Sequence, residues 1–252
     1  MKHSADLPMT IRPVVAFEDD YPAGFFDPMH SHDRSQLCLA ASGVMAFTTD
    51  SASFILPPKR AIWIPAGMRH QLSCRGPVTF KTLYIDPALD KQPQSCRVFE
   101  VSPLAQALIE EVTRFQHAYD VNGREGRIVT MLLDEIELMP STPVRATMPS
   151  DPRLRRVCDA ILAHTADQRD IDHWAAVAGM GRRTFTRLFK QHTGMGLATW
   201  RQQVRVMEAM SLLASGRPIT TVAYDVGYES PSAFTAMFHR TFGAPPSAYI
   251  RR

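Results

Sequence analysis

Apolar residues are spaced in three different ways along this chain, and each spacing predicts a different kind of structure. Over residues 1–90 the segments "QLCLAA", "VMAFTT", "SFILP", "AIWIP" and "VTFKTLYI" are short, apolar or alternating, and rich in Val, Ile, Phe and Thr. Gly, Pro, Asp and Ser punctuate them at close intervals. Closely spaced short strands of this kind predict a β sandwich or barrel. From residue 101 the period changes to three and four. "PLAQALIEEVTRF" places Leu104, Leu108, Val112 and Phe115 on one helical face, and "RIVTMLLDEIELM" does the same with Ile128, Leu132, Ile136 and Met139. Two short amphipathic helices in this position are expected to serve packing or dimerisation. "PSTPVRATMPSDP" at 140–152 then carries four prolines in thirteen residues, the composition of a linker.

Residues 153–252 read as almost entirely helical, and here the pattern repeats. Ile171, Ala175 and Gly179 recur as Ile219, Ala223 and Gly227, an offset of 48. Phe185, Thr186, Phe189 and Gly194 recur as Phe234, Thr235, Phe238 and Gly243, an offset of 49. Each unit is therefore a helix, a glycine turn and a second helix, the helix-turn-helix layout. Between the units, "GLATWRQQVRVMEAMSLLASG" predicts one long helix of roughly eighteen residues, about 27 Å at 1.5 Å per residue.

Composition narrows the class. At 252 residues the chain has room for two cores, and its 45% apolar and 21% charged content is that of a soluble globular protein. No run of eighteen apolar residues appears, so no membrane span is expected. The N-terminus lacks the apolar stretch of a secretion signal. Cys38, Cys74, Cys96 and Cys158 are scattered and fit neither a CxxC metal site nor a disulfide framework. Reduced thiols and a cytoplasmic location are expected. Residues 1–150 hold 14 Lys and Arg against 17 Asp and Glu, a balance of −3, whereas residues 151–252 hold 14 against 8, a balance of +6. The C-terminal part is the one that would seek a polyanion.

The repeats carry matching chemistry. In "RRTFTRLFKQH", Phe185, Leu188 and Phe189 form the buried face, and Arg182, Arg183, Thr186, Arg187 and Lys190 lie off it. Arginine reaches guanine O6 and N7 in pairs, and either cation binds phosphate. A solvated basic face is the plainer alternative. In "ESPSAFTAMFHRTFG", Ser230 is a candidate N-cap with Pro231 at the first helical position. Ser232, Thr235, Ala236 and His239 project outward, a small and nearly uncharged surface expected to read fewer bases. Arg201 and Arg205 of the connecting helix are candidate DNA-backbone contacts, with plain exposure as the alternative.

Residues 153–252 resemble the DNA-binding domain of the AraC/XylS family of bacterial transcription regulators. The residues that carry the likeness are "LFKQHTGMGLATWRQQVR", "LLASGRPITTVAYDVGYESPSAFTAMFHRTFG" and the closing "APPSAY". The resemblance implies sequence-specific control of a promoter on double-stranded DNA. It implies base contacts at Arg183, Thr186 and Arg187 in the first unit and at Ser232 and Ala236 in the second. Charged or amide residues are common at those second-unit positions, so the small residues here depart from the family pattern.

A second cluster lies near the N-terminus. "HSHDRSQLCLAASG" reads HxHx3Qx6G and "PAGMRH" reads PxGxxH. Alternate residues of a strand point the same way, so His30 and His32 are expected to face one interior, with Gln36 an even number of residues on and His70 arriving after a glycine turn. Three imidazoles there can bind Fe, Mn, Ni or Zn. Together the two motifs resemble those of the cupin barrel, in which metal-binding members usually carry glutamate at the fourth position. Gln36 is neutral and a weaker ligand. Three readings stand side by side: a metal centre for oxygen chemistry, a pocket that senses a small molecule, and histidines that merely satisfy one another. Phe47, Trp63 and Tyr84 are candidate pocket walls or ordinary core.

The expected fold is multidomain α and β: a cupin-like β-barrel at 1–95 for effector sensing, a helical linker or dimerisation segment at 96–150, and an all-α domain with two helix-turn-helix units at 151–252. The expected function is a DNA-binding transcription regulator under a small-molecule effector, not an enzyme. The alternative is a metal-dependent cupin enzyme with a DNA-localising tail. The effector pocket is expected at His30, His32, Gln36, Trp63 and His70, with no cofactor. A divalent metal at His30, His32 and His70 is the less favoured option. A homodimer is expected, and RNA polymerase is a candidate partner.

Overall fold

The computed structural model describes residues 12–56, 58, 60–74, 76–116, 118–142 and 145–250. They form two compact units, one within residues 12–49 and 56–142 and the other within residues 50–55 and 145–250.

The first unit is built on antiparallel strands. One sheet runs β1 (Val14–Tyr21), β8 (Val78–Ile85), β3 (Ser35–Ser42), β6 (Arg60–Ile64), β9 (Arg97–Glu100), β10 (Ser141–Thr142) in space. Strand β7 (His70–Cys74) pairs on its two sides with β2 (Phe26–His30) and β4 (Met45–Thr49). Parity decides what each strand presents. Leu37, Leu39, Ala61, Trp63, Leu83 and Phe99 share one face of the first sheet and form a core with two helices, α1 (Pro103–Val112) and α2 (Arg124–Leu138). Gln36, Cys38, Thr82 and Tyr84 alternate with them on the other face. The helices meant for a linking segment thus complete the core of the first unit, through Ala105, Leu108, Ile109, Val112, Val129, Leu132 and Ile136. At about 25 cal/mol per Å² of apolar area, such burial dominates the stability of the layer.

The turn after β3 needs its glycine. Gly43 has φ +76, and a Cβ there would run into the Pro77 carbonyl oxygen. This accounts physically for the glycine that ends the HxHx3Qx6G pattern.

The second unit holds most of β5 (Ala52–Leu56), paired through Ala52 and Ser53 with β11 (Ala146–Thr147), and seven helices among the described residues. These are α3 (Pro152–Ala163), α4 (Ile171–Val177), α5 (Arg182–Thr193), α6 (Leu197–Ala214), α7 (Ile219–Asp225), α8 (Pro231–Phe242) and α9 (Pro246–Ile250). The repeat is visible in three dimensions. Phe185 and Phe189 of α5 lie with ring centroids 5.5 Å apart, and Phe234 and Phe238 of α8 with centroids 5.7 Å apart, all fully buried. Both helices end on a left-handed glycine, Gly194 at φ +76 and Gly243 at φ +70. The connector α6 is an unbroken helix of 18 residues, as its sequence predicts, and buries Trp200, Val204 and Met207.

Candidate functional site

The first site forms where β2, β3 and β7 approach one another. His30 ends β2 and His70 begins β7, and the two are register partners across the pair. His32 is not on a strand as its spacing suggested. It lies in the turn before β3, beyond an irregularity between Asp27 and His30. The three rings converge nonetheless, with centroids 4.4 Å (His30 to His70), 5.1 Å (His32 to His70) and 6.1 Å (His30 to His32) apart.

Each ring is oriented by a main-chain carbonyl. Nδ1 lies 2.8 Å from the Pro28 oxygen in His30, 2.6 Å from that of Arg34 in His32, and 2.9 Å from that of Met68 in His70. A carbonyl only accepts, so each Nδ1 donates its proton and each Nε2 is left with a lone pair. One ring nitrogen from each histidine lies within 4.8 Å of those of the other two. Burial holds His32 below the ordinary histidine range and pushes His70 down to about 4, so both rings are neutral at pH 7. Asp27 stands behind His30, its Oδ2 3.8 Å from Nδ1. Imidazole held through Nδ1 by a carbonyl is the usual orientation of a metal-binding histidine. The donor set fits a borderline transition-metal ion.

Gln36 completes the cluster. Its Oε1 lies 3.1 Å from His32 Nε2, and its Nε2 donates to Thr82 Oγ1 at 3.0 Å and to the Tyr84 hydroxyl at 3.1 Å. The Tyr84 ring meets His32 edge-on with centroids 5.1 Å apart, so Tyr84 belongs to the site. Phe47 shares a strand face with Thr49, whose register partner is His70. Trp63 is a correction. Its register partner is Leu37, one residue out of phase with Gln36 and Ile64, so it faces α1 and α2 on the opposite side of the sheet. There it helps line a separate cavity of about 430 Å³ with Pro13, Val129, Leu133 and Ile136.

The second site is the outer face of α5. Arg182, Arg183, Thr186, Arg187 and Lys190 are all exposed, and with Gln191 they line one continuous surface. Arg182 pairs with Asp172 of α4 at 3.0 Å, and the Thr186 hydroxyl donates to the Arg182 carbonyl at 2.9 Å. Arg183, Arg187 and Lys190 have no acidic partner among the described residues. Gln191 was missed in the sequence. Its spacing from Arg187, one helical turn, is the signal that places it there.

On α8, Ser230 caps the helix by accepting from the Ala233 amide at 3.2 Å. Ser232, Ala236 and His239 are exposed, Thr235 is half-buried, and Arg240 adds one cation the sequence reading passed over. Arg201 is placed differently from its expected role. Its guanidinium donates to the carbonyls of Arg169 (2.8 Å) and Asp167. Arg205 donates to Thr165 O at 3.2 Å and lies 5.8 Å over the Tyr228 ring. Both side chains tie α6 to the loop before α4, because a half-buried guanidinium needs acceptors at hand.

No helix among the described residues is long and apolar enough to cross a membrane. Comparison with known proteins agrees with this division of labour. Residues 13–120 match the family model "AraC-like ligand binding domain" and residues 174–252 match "Helix-turn-helix domain". The chain is 29% identical over 225 residues to the HTH-type transcriptional regulator NimR of Escherichia coli, covering 89% of this chain and 82% of that one. It is 25% identical over 267 residues to the HTH-type transcriptional activator RhaR of Pectobacterium carotovorum, covering 98% and 94%. Among solved structures, ToxT from Vibrio cholerae aligns over 95% of this chain and 98% of its own, at 12% identity and a TM-score of 0.41. An AraC-like ligand-binding domain joined to a helix-turn-helix domain makes this chain a member of the AraC/XylS-type transcriptional regulators, a DNA-binding protein controlled by a small-molecule effector.

Proposed function

We propose that α5 is the base-reading helix of this regulator and that the histidine-lined pocket of the first unit is where its effector is sensed. The observation that carries the first half is the exposed α5 face, where Arg183, Arg187 and Lys190 stand without acidic partners among the described residues, beside Thr186 and Gln191. Such a face has the reach and charge to enter a major groove. The α8 face, with Ser232, Ala236 and His239, is small and holds DNA mainly through hydroxyl, methyl and helix-end contacts. DNA as partner supports a cytoplasmic location. Exposed Leu104 and Met131, at 49% and 52%, and Leu138, at 76%, support a homodimer formed through α1 and α2.

Arg187→Ala tests the reading. Selection on genomic fragments supplies the cognate site, and the variant is expected to lose on the order of 1–3 kcal/mol there and to relax specificity at one base pair. A loss equal on all sequences, with a salt slope lower by about one, would demote Arg187 to a phosphate contact. The converging imidazoles favour one second reading, a metal-dependent enzyme. Oxygen uptake abolished by His70→Ala would establish it.

A further inference from the structure

We propose that Gln36 makes the histidine cluster a reversible site for a divalent transition-metal ion, by giving its side-chain amide two satisfied orientations. The inference rests on reading this pocket as the sensed site.

The argument starts from a mismatch. His32 spends its Nδ1 proton on the Arg34 carbonyl at 2.6 Å, so its Nε2 carries a lone pair. That lone pair faces Gln36 Oε1, another acceptor, at 3.1 Å. Two acceptors in contact repel unless a cation lies between them or the amide turns over.

The wall behind Gln36 permits both answers. Among the described residues its far end donates to two hydroxyls, Thr82 Oγ1 at 3.0 Å and Tyr84 at 3.1 Å. A hydroxyl donates or accepts equally well. With the amide turned, Nε2 donates to His32 and both hydroxyls donate to Oε1, and every group is satisfied without an ion. With Oε1 forward, the hydroxyls accept from Nε2, and Oε1 joins the nitrogens of His30, His32 and His70 as a fourth lone pair. A cation reconciles that set. Three imidazoles and one neutral oxygen suit Zn²⁺, Fe²⁺, Co²⁺ or Ni²⁺ rather than Ca²⁺ or Mg²⁺.

A glutamate in this place has no donor end. It would accept from both hydroxyls and hold the ion with a full charge in either orientation. The glutamine exchanges one neutral arrangement for another. An ion bound by it leaves readily, which suits a regulator that must be reset.

The test uses the full-length protein, stripped by a chelator and titrated with Co²⁺, with visible absorption as the readout and Zn²⁺ as competitor. The wild type is expected to take one Co²⁺ per chain and to release it on brief chelation. Gln36→Glu should bind at least tenfold more tightly and release slowly. Gln36→Leu should bind at least tenfold more weakly, and His70→Ala should not bind. Near-UV circular dichroism and promoter binding check that each variant is folded. Less than one equivalent in the wild type, or equal affinity in wild type and Gln36→Glu, overturns the proposal. The titration contains no DNA and no organic effector, so its failure leaves effector control of promoter binding standing. Failure of effector control would instead show as promoter affinity that no small molecule or ion moves, with Co²⁺ still bound.

Discussion

His70 is 2% exposed, and burial brings its imidazole down to about 4 from the ordinary 6.5. The proton therefore binds the unfolded chain more readily than the folded one between those two values. The folded first unit keeps this contribution in full above pH 6.5 and loses it as the pH falls towards 4. The loss has an upper bound of about 3.5 kcal/mol, at roughly 1.4 kcal/mol per unit. Thermal midpoints of the ion-free protein should fall between pH 7 and pH 5, and His70→Gln should flatten that fall. The same slope in both proteins would remove His70 as its cause. At this scale the four polar residues of the cluster were legible in the sequence, because the motif spacing names them. Trp63 was not, since strand parity becomes usable only when register is known, and Leu37 rather than Gln36 is its partner. Tyr84 was found only as a generic aromatic. Its hydroxyl earns its place through a partner 48 positions away in sequence.

Elements were legible in proportion to the strength of their periodicity. The two glycine-ended helices α5 and α8 and the connector α6 stand where their patterns put them. On α1 Leu108 and Val112 are buried as their spacing predicts, but the first position of the stripe is not. Leu104 is 49% exposed and Ala105 and Ile109 join the buried positions, because the sheet beneath selects the stripe that fits it. Strands β1 and β2 went unread. "VVAFEDDY" carries three consecutive acids, Glu18 to Asp20, before its buried Tyr21, and "FDPMH" carries a proline that marks a break in a single sequence. The repeat yields a prediction of its own. Gly194 and Gly243 hold matching left-handed conformations, and a Cβ at either meets nothing within 4 Å. Replacing either by Ala should therefore cost only the conformational strain, about 1 kcal/mol each. Denaturant titration of the full chain should give nearly equal losses. Unequal losses would mean that the two units do not share one design.

For the whole molecule, the open matter is how many copies act together. The exposed apolar residues of α1 and α2, Leu104, Met131 and Leu138, support the proposed dimer. Leu138→Glu is surface-placed at 76% exposure, so it should leave the fold intact while moving the protein from dimer to monomer in sedimentation. A wild type that sediments as a monomer at all concentrations would sink the dimer. Charge asymmetry at this scale was plain from the sequence, −3 in residues 1–150 against +6 beyond. The assignment of α1 and α2 to the first unit was not, because their apolar stripes suit a partner chain and an adjoining sheet equally well. The displaced tryptophan also has an optical consequence. Trp174 and Trp200 lie in the second unit with their indole N–H groups donating to the Arg169 and Thr147 carbonyls. Trp63 is the tryptophan of the first unit, buried among apolar side chains, and its indole nitrogen has no hydrogen-bond partner among the described residues. Its emission is therefore set by a different environment from the other two, and the part of the protein's emission that Trp63→Phe removes reports on the sensing half.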